Sequence, residues 1–122
     1  MKIFGHPWIN SEEFYTIKTI EDIKDTPSNS IVKIDSFKIE LLNYCDRNSL
    51  SYIVSVSTIK EAIFANILHA KYILASKDLA KELMPIAQNY LFDTLILASI
   101  SSDSEIEEIA KSNIDGVLIH QL

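Results

Sequence analysis

Five short apolar runs recur along the chain at nearly constant spacing, and that repeat limits the folds open to it more than any single residue does. The runs are Ile31-Val32-Lys33-Ile34-Asp35, Tyr52-Ile53-Val54-Ser55-Val56, Tyr72-Ile73-Leu74-Ala75, Thr94-Leu95-Ile96-Leu97-Ala98 and Gly116-Val117-Leu118-Ile119-His120. They begin at positions 31, 52, 72, 94 and 116, which leaves room in each unit for one strand, one helix and two tight connections. Runs rich in Val, Ile and Leu that do not alternate with polar residues are strands buried on both faces, as in a parallel sheet covered by helices. The sequence therefore predicts an α/β fold.

Helix-start chemistry follows the strands. Thr58-Ile59-Lys60-Glu61 and Ser102-Asp103-Ser104-Glu105 have the capping-box form, in which a hydroxyl and a carboxylate each satisfy a free backbone amide, and Ser76 offers a third cap. Ile59, Ile63 and Ile67, with Ala62 and Ala70, share one helical face, as do Ile106, Ile109 and Ala110. These faces are expected to cover the sheet. Pro85 interrupts the helical pattern of Asp78–Phe92, where a missing donor predicts a kink or a new helix start.

Strand, helix and parallel strand join right-handed, so about five βα repeats give either an open, doubly wound, flavodoxin-like sheet or a curved half of a β/α barrel. Near-equal spacing favours the half-TIM-barrel-like curvature. The 122 residues, 48% of them hydrophobic, suit a single α/β domain, 1–122, with one core. Residues 31–122 hold the repeats. Residues 1–30 stand outside them, with Gly5, Pro7, Trp8 and Pro27, candidate short strands at Lys2-Ile3-Phe4 and Phe14-Tyr15-Thr16-Ile17, and a helix start capped by Thr19.

The net charge of −6 and the absence of any Lys/Arg run argue against nucleic acid, whose affinity comes from clustered cations, and against an anionic membrane surface. No apolar stretch reaches the ~20 residues of a membrane span and the first residues lack an apolar leader core, so the expected location is cytoplasmic. The single Cys45 allows no internal disulfide and falls on a helical stretch, where a buried hydrophobe is the plain expectation and a reactive thiol the alternative.

Residues from about Leu50 to Leu122 resemble the late βα units of phosphate-binding TIM barrels, most nearly indole-glycerol-phosphate synthase. Ala70-Lys71-Tyr72-Ile73-Leu74-Ala75-Ser76-Lys77-Asp78-Leu79 is similar to that family's Ala-Lys-Ile-Ile-Gly-Val-Asn-Asn-Arg-Asp-Leu segment, shorter by one residue. Ile100–Ile106 and Ile114–Ile119 are similar to its final helix and strand. The resemblance implies barrel-like shape and a phosphate-bearing ligand. The departures bear on activity. Ser55 stands where the family has a catalytic carboxylate, Leu97-Ala98-Ser99-Ile100 replaces Glu-Ser-Gly-Ile, and His120-Gln121 takes the place of the last phosphate-loop glycine.

Gly5 and Gly116 are the only glycines, so the chain has no dinucleotide fingerprint and no Walker-type loop, and no cofactor is expected. His6, His69 and His120 lack a second ligand three or four residues on, so no metal is expected either. Lys33 and Asp35, two apart on a strand, project to the same side. Such a pair at a strand's carboxyl end suits a desolvated base or Schiff-base lysine with an orienting carboxylate; on an edge strand it is a solvated charge pair. Ser57, Ser76, Ser99 and Ser101 lie at or past strand ends and suit either an anion or helix capping, and His120 ends the last strand beside them.

Two functions fit these residues. One is a non-catalytic binding or interaction module that holds a small anionic ligand at the strand ends. The other is a small lyase or isomerase acting on a phosphorylated metabolite, with Lys33 as base or nucleophile and Asp35 as its partner. Open sheet edges, an uncovered inner face and the aromatics Trp8, Phe14 and Tyr15 further predict a homodimer.

Overall fold

The computed structural model describes residues 1–120. Seven strands, all parallel, form one sheet in the order β1-β7-β6-β5-β4-β3-β2. They are β1 (Lys2–Phe4), β2 (Phe14–Ile17), β3 (Ile31–Ile34), β4 (Tyr52–Ser55), β5 (Tyr72–Ala75), β6 (Leu95–Ile100) and β7 (Gly116–Ile119). The helices α1 (Ile39–Arg47), α2 (Ile59–Ile67), α3 (Lys77–Asn89) and α4 (Ile106–Lys111) follow β3, β4, β5 and β6. All five repeated runs are strands, and the segment before them supplies two more, one for each edge.

The sheet divides its side chains between two clusters. Val32, Ile34, Tyr52, Val54, Ile73, Ile96 and Val117 face outward and pack with Leu42, Cys45, Ala65, Leu83 and Ile109 of the helices. The alternate residues Phe4, Ile31, Ile53, Tyr72, Leu74 and Leu97 form a second cluster made of strand residues alone, joined by Phe14, Leu95 and Leu118. Helices on one face only, together with consecutive strand order from β2 to β7, exclude the doubly wound arrangement, which needs helices on both faces and a reversal of order. The sheet is curled into a half-barrel. Its two edges approach each other at Phe4 and Phe14, whose ring centroids lie 5.0 Å apart, and both rings meet Tyr72, at 5.2 and 6.0 Å. The inner face is thus filled by aromatic rings carried on the two edge strands.

Gly116 permits the β1–β7 pairing. A Cβ there would overlap the Lys2 carbonyl oxygen and stand 2.9 Å from Leu97 Cδ2. At their other ends the helices return to the sheet by one device, repeated four times. Ser49, His69, Leu91 and Asn113 adopt φ between 54° and 64°. The next residue's N–H then donates to a carbonyl five residues back: Leu50 to Cys45, Ala70 to Ala65, Phe92 to Ala87 and Ile114 to Ile109. This is the Schellman closure, here without glycine at the left-handed position.

One helical expectation is corrected and another is narrowed. In α2 the buried stripe is Ala62 and Ala65, whose small side chains let the helix lie close on the sheet, so Ile63, Phe64 and Ile67 face outward. In α3 the helix runs through Pro85 without a restart. Pro85 and Lys81, one turn back, are both exposed, so the proline sits on the solvent side of the helix. No described helix is long and apolar enough to cross a membrane.

Candidate functional site

Side chains alternate across a strand, so the inner face of each can be followed toward its carboxyl end. Ile31 gives way to Lys33 and Asp35, Ile53 to Ser55, Tyr72 and Leu74 to Ser76, Leu95 and Leu97 to Ser99, and Leu118 to His120. The curl of the sheet brings these polar ends together. Lys33, Asp35, Ser55, Ser76, Ser99 and His120 line one cavity of about 390 Å³, floored by Leu74.

Lys33 lies on an interior strand, between β2 and β4, so the solvated-edge alternative does not describe it. Its side chain is 18% exposed and its ammonium is hydrogen-bonded to Asp35, which is 56% exposed. The Ser99 hydroxyl and His120 Nε2 are also hydrogen-bonded across neighbouring strands. The His120 N–H donates to the Ile100 carbonyl at 2.9 Å, which extends the ladder past β7 and fixes where the imidazole stands. Ser76 has a second duty, since its Oγ accepts from the Leu79 N–H at 3.2 Å and caps α3.

Five residues singled out in the sequence therefore meet: Lys33, Asp35, Ser76, Ser99 and His120. Ser57 and Ser101 do not join them. The Ser57 N–H donates to Glu61 Oε1 at 2.8 Å, and the Ser101 N–H to Glu105 Oε2 at 3.0 Å, so both serve helix starts outside the cavity. The Lys77 ammonium, then the Ser101 and Ser102 amides, hold Glu105 below the usual carboxylate range. Ser55 joins the cavity, and its signal was its inward phase with Ile53, two residues earlier on β4.

A second cavity, of about 490 Å³, adjoins the first along the same rim and shares His120 with it. Its wall is the loop Gly5–Trp8 that leaves β1, with Ile119 and Asp103 opposite. His6 organises this loop: Nδ1 accepts the Trp8 N–H at 3.1 Å, and Nε2 reaches Asp103 Oδ2 at 3.0 Å. The indole meets the imidazole edge-on, with centroids 5.0 Å apart, and remains 86% exposed. Residues 97 apart in sequence make the His6–Asp103 contact, which no local pattern reveals.

The amino ends of the strands differ in character. There Glu12 accepts from Lys71 at 3.2 Å and from the Tyr72 hydroxyl at 3.1 Å; burial opposes its ionisation, but these two bonds and the positive charges of Lys71 and Lys2 together lower its pKa. Burial raises the Tyr72 phenol to about 12 and the Cys45 thiol to about 11. Cys45 is fully buried in the outer cluster, as a packed hydrophobe rather than a nucleophile. Among the described residues no three His, Cys, Asp or Glu side chains gather as a metal site would require. No protein-family model matches the chain, and no curated protein matches it either.

Proposed function

We propose that the protein is a cytoplasmic binding module that holds a small anionic ligand at the carboxyl ends of its strands. The observation that carries the reading is the convergence of the Lys33 ammonium, the Ser55, Ser76 and Ser99 hydroxyls and the His120 imidazole on one cavity. The ammonium and the Ser55 and Ser76 hydroxyls can each donate a hydrogen bond to an oxyanion, the mutually bonded Ser99–His120 pair can supply one donor more, and a half-buried ammonium interacts more strongly with an anion than an exposed one does. The resemblance of residues 50–122 to phosphate-binding barrels supports the same ligand class. The carboxylates and glycines missing from that pattern support binding without turnover.

Inorganic phosphate and sulfate are the probes. Against chloride at matched ionic strength, either should raise the melting temperature, by the equivalent of about 2.7 kcal/mol at 100 times its Kd. Sulfate also stabilises proteins by exclusion from their surface, an effect that persists when a site is lost. In K33Q, and in S76A combined with S99A, only that general effect should remain. An unchanged response in both variants rejects the site.

A second reading, a small lyase or isomerase acting on a phosphorylated metabolite, draws support from Lys33 lying in a concave cavity opposite the serines. In it Lys33 forms a Schiff base or takes a proton, and Asp35 orients it. Borohydride reduction in the presence of a phosphorylated ketose should then attach the sugar to Lys33, as read by peptide mass; no adduct rejects covalent catalysis.

We also infer a homodimer. Ile63, Phe64 and Ile67 on the outer side of α2 form an apolar stripe that a two-fold partner would cover, whereas Phe14 is occupied inside the sheet. A monomeric mass by light scattering at micromolar concentration overturns this assembly.

A further inference from the structure

The Trp8 cavity is built differently from the Lys33 cavity, and its chemistry selects a different ligand. The loop that forms it is fixed at its root. Gly5 has φ +88°, and a Cβ there would come within 2.6 Å of the Ile119 carbonyl oxygen, so the chain leaves β1 pressed against β7. Beyond it His6 is held on both ring nitrogens, with its side chain only 12% exposed.

Those two bonds settle the proton. Nδ1 accepts the Trp8 amide and therefore carries no hydrogen; the proton sits on Nε2 and is donated to Asp103. Held as this tautomer, His6 donates to Asp103 without placing a positive charge beside it. No Lys or Arg lines the cavity. Asp103 is itself 58% exposed, and among the described residues its Oδ1 has no hydrogen-bond partner. Trp8 lines the same cavity, tethered by its own amide and in edge-on contact with His6, and its indole is 86% exposed.

An exposed indole and one uncompensated carboxylate lining a cavity of about 490 Å³ are the two elements that hold a weakly hydrated cation. A flat neutral ring would use the indole and leave the carboxylate idle, and an anion would be repelled by it. We propose that the cavity between Trp8 and Asp103 is a binding site for an organic ammonium ion, of the size of tetramethylammonium or choline. The Trp8–Asp103 pair does not line the Lys33 cavity, with which this one shares only His120.

Trp8 is the only tryptophan in the chain, so its emission reports on the site directly. The full chain is titrated with choline chloride, with sodium chloride at matched ionic strength, and with 3,3-dimethylbutan-1-ol, the uncharged isostere of choline. Choline should change the emission saturably, and the neutral alcohol should bind about tenfold more weakly, the margin of a partly desolvated cation–π contact. By calorimetry, W8A should lose choline binding and D103N should weaken it several-fold, while K33Q leaves it unchanged. The carboxamide introduced by D103N can still accept from His6 through its oxygen, which keeps the loop in place. Equal binding of choline and its isostere overturns the proposal, as does a D103N affinity equal to that of the parent chain. An emission change that tracks sodium chloride as closely as choline chloride overturns it too.

Discussion

The two ends of the sheet's inner face are made from the same seven strands and have opposite chemistry. At the amino end the inward positions are Phe14, Ile31, Ile53, Tyr72 and Leu95, which belong to one apolar cluster. At the carboxyl end the rows of β3 to β6 continue as Lys33, Ser55, Ser76 and Ser99, joined by His120 at the end of β7, around a cavity. A parallel sheet sends every strand's carboxyl end to one side, so a single change of residue type late in each strand collects polar groups that are remote in sequence. One end then stabilises the fold, and the other is free to bind.

Paired substitutions test that division most strongly. Tyr72→Ala removes a ring that touches Phe4 and Phe14, and it should lower the unfolding free energy by about 4 kcal/mol. Ser99→Ala, in the same sheet at the other end, should change it by less than about 0.5 kcal/mol. Urea unfolding measures both, and a comparable cost at the two positions would break the comparison.

Alkaline stability sharpens it. Cys45 rises from 9.0 to about 11 in the folded protein and Tyr72 from 10.0 to about 12, both chiefly through burial. A raised folded-state pKa favours the protonated form, so the stabilisation is complete below the unfolded values and disappears as pH climbs through the folded ones. The two groups together should lower the unfolding free energy by about 3 kcal/mol between pH 9 and pH 11, the larger part of it from Cys45. Cys45→Ala should flatten that fall, and an unchanged slope in the variant would remove the thiol from the account.

The smallest effect has the opposite sign. Leu91 is 84% exposed at φ 55° where α3 ends, a conformation that glycine adopts without strain. Leu91→Gly should stabilise the protein by about 1 kcal/mol, measured as a higher urea midpoint. A loss of stability would mean that the Leu91 side chain contributes packing at this end.

Most of the frame was legible because buried parallel strands carry their signature on both faces. Tyr52–Ser55 and Tyr72–Ala75 needed no tertiary information, and Thr58, Ser76 and Ser102 cap helices as hydroxyls in those positions do. Helix ends are harder to read, because the left-handed exits at Ser49, His69, Leu91 and Asn113 use no glycine. The exposed side of α2 departs from its apolar periodicity because Ile63 and Ala62 are adjacent in sequence, and only contact with the sheet decides which of them turns inward.

At the site, the period of two placed Lys33 with Asp35, and position at or past a strand end picked out Ser76 and Ser99. The same position past a strand end did not bring Ser57 and Ser101 into the cavity, because β4 ends at Ser55 and the carboxylates of Glu61 and Glu105 engage the backbone amides that lead into the helices. Trp8, His6 and Asp103 carried no joint signal, since only the pairing of β1 with β7 brings them together.

That pairing also bears on how the molecule assembles in time. From β2 to β7 every strand lies beside its predecessor, so each contact closes a loop of about twenty residues. Lys2 meets Gly116 instead, across 114 positions. Loop-closure entropy makes that union about 1.5 kcal/mol less favourable than its neighbours before any contact offsets it. The first strand is therefore the last to dock, and the Gly5–Trp8 rim forms only after the rest of the half-barrel stands.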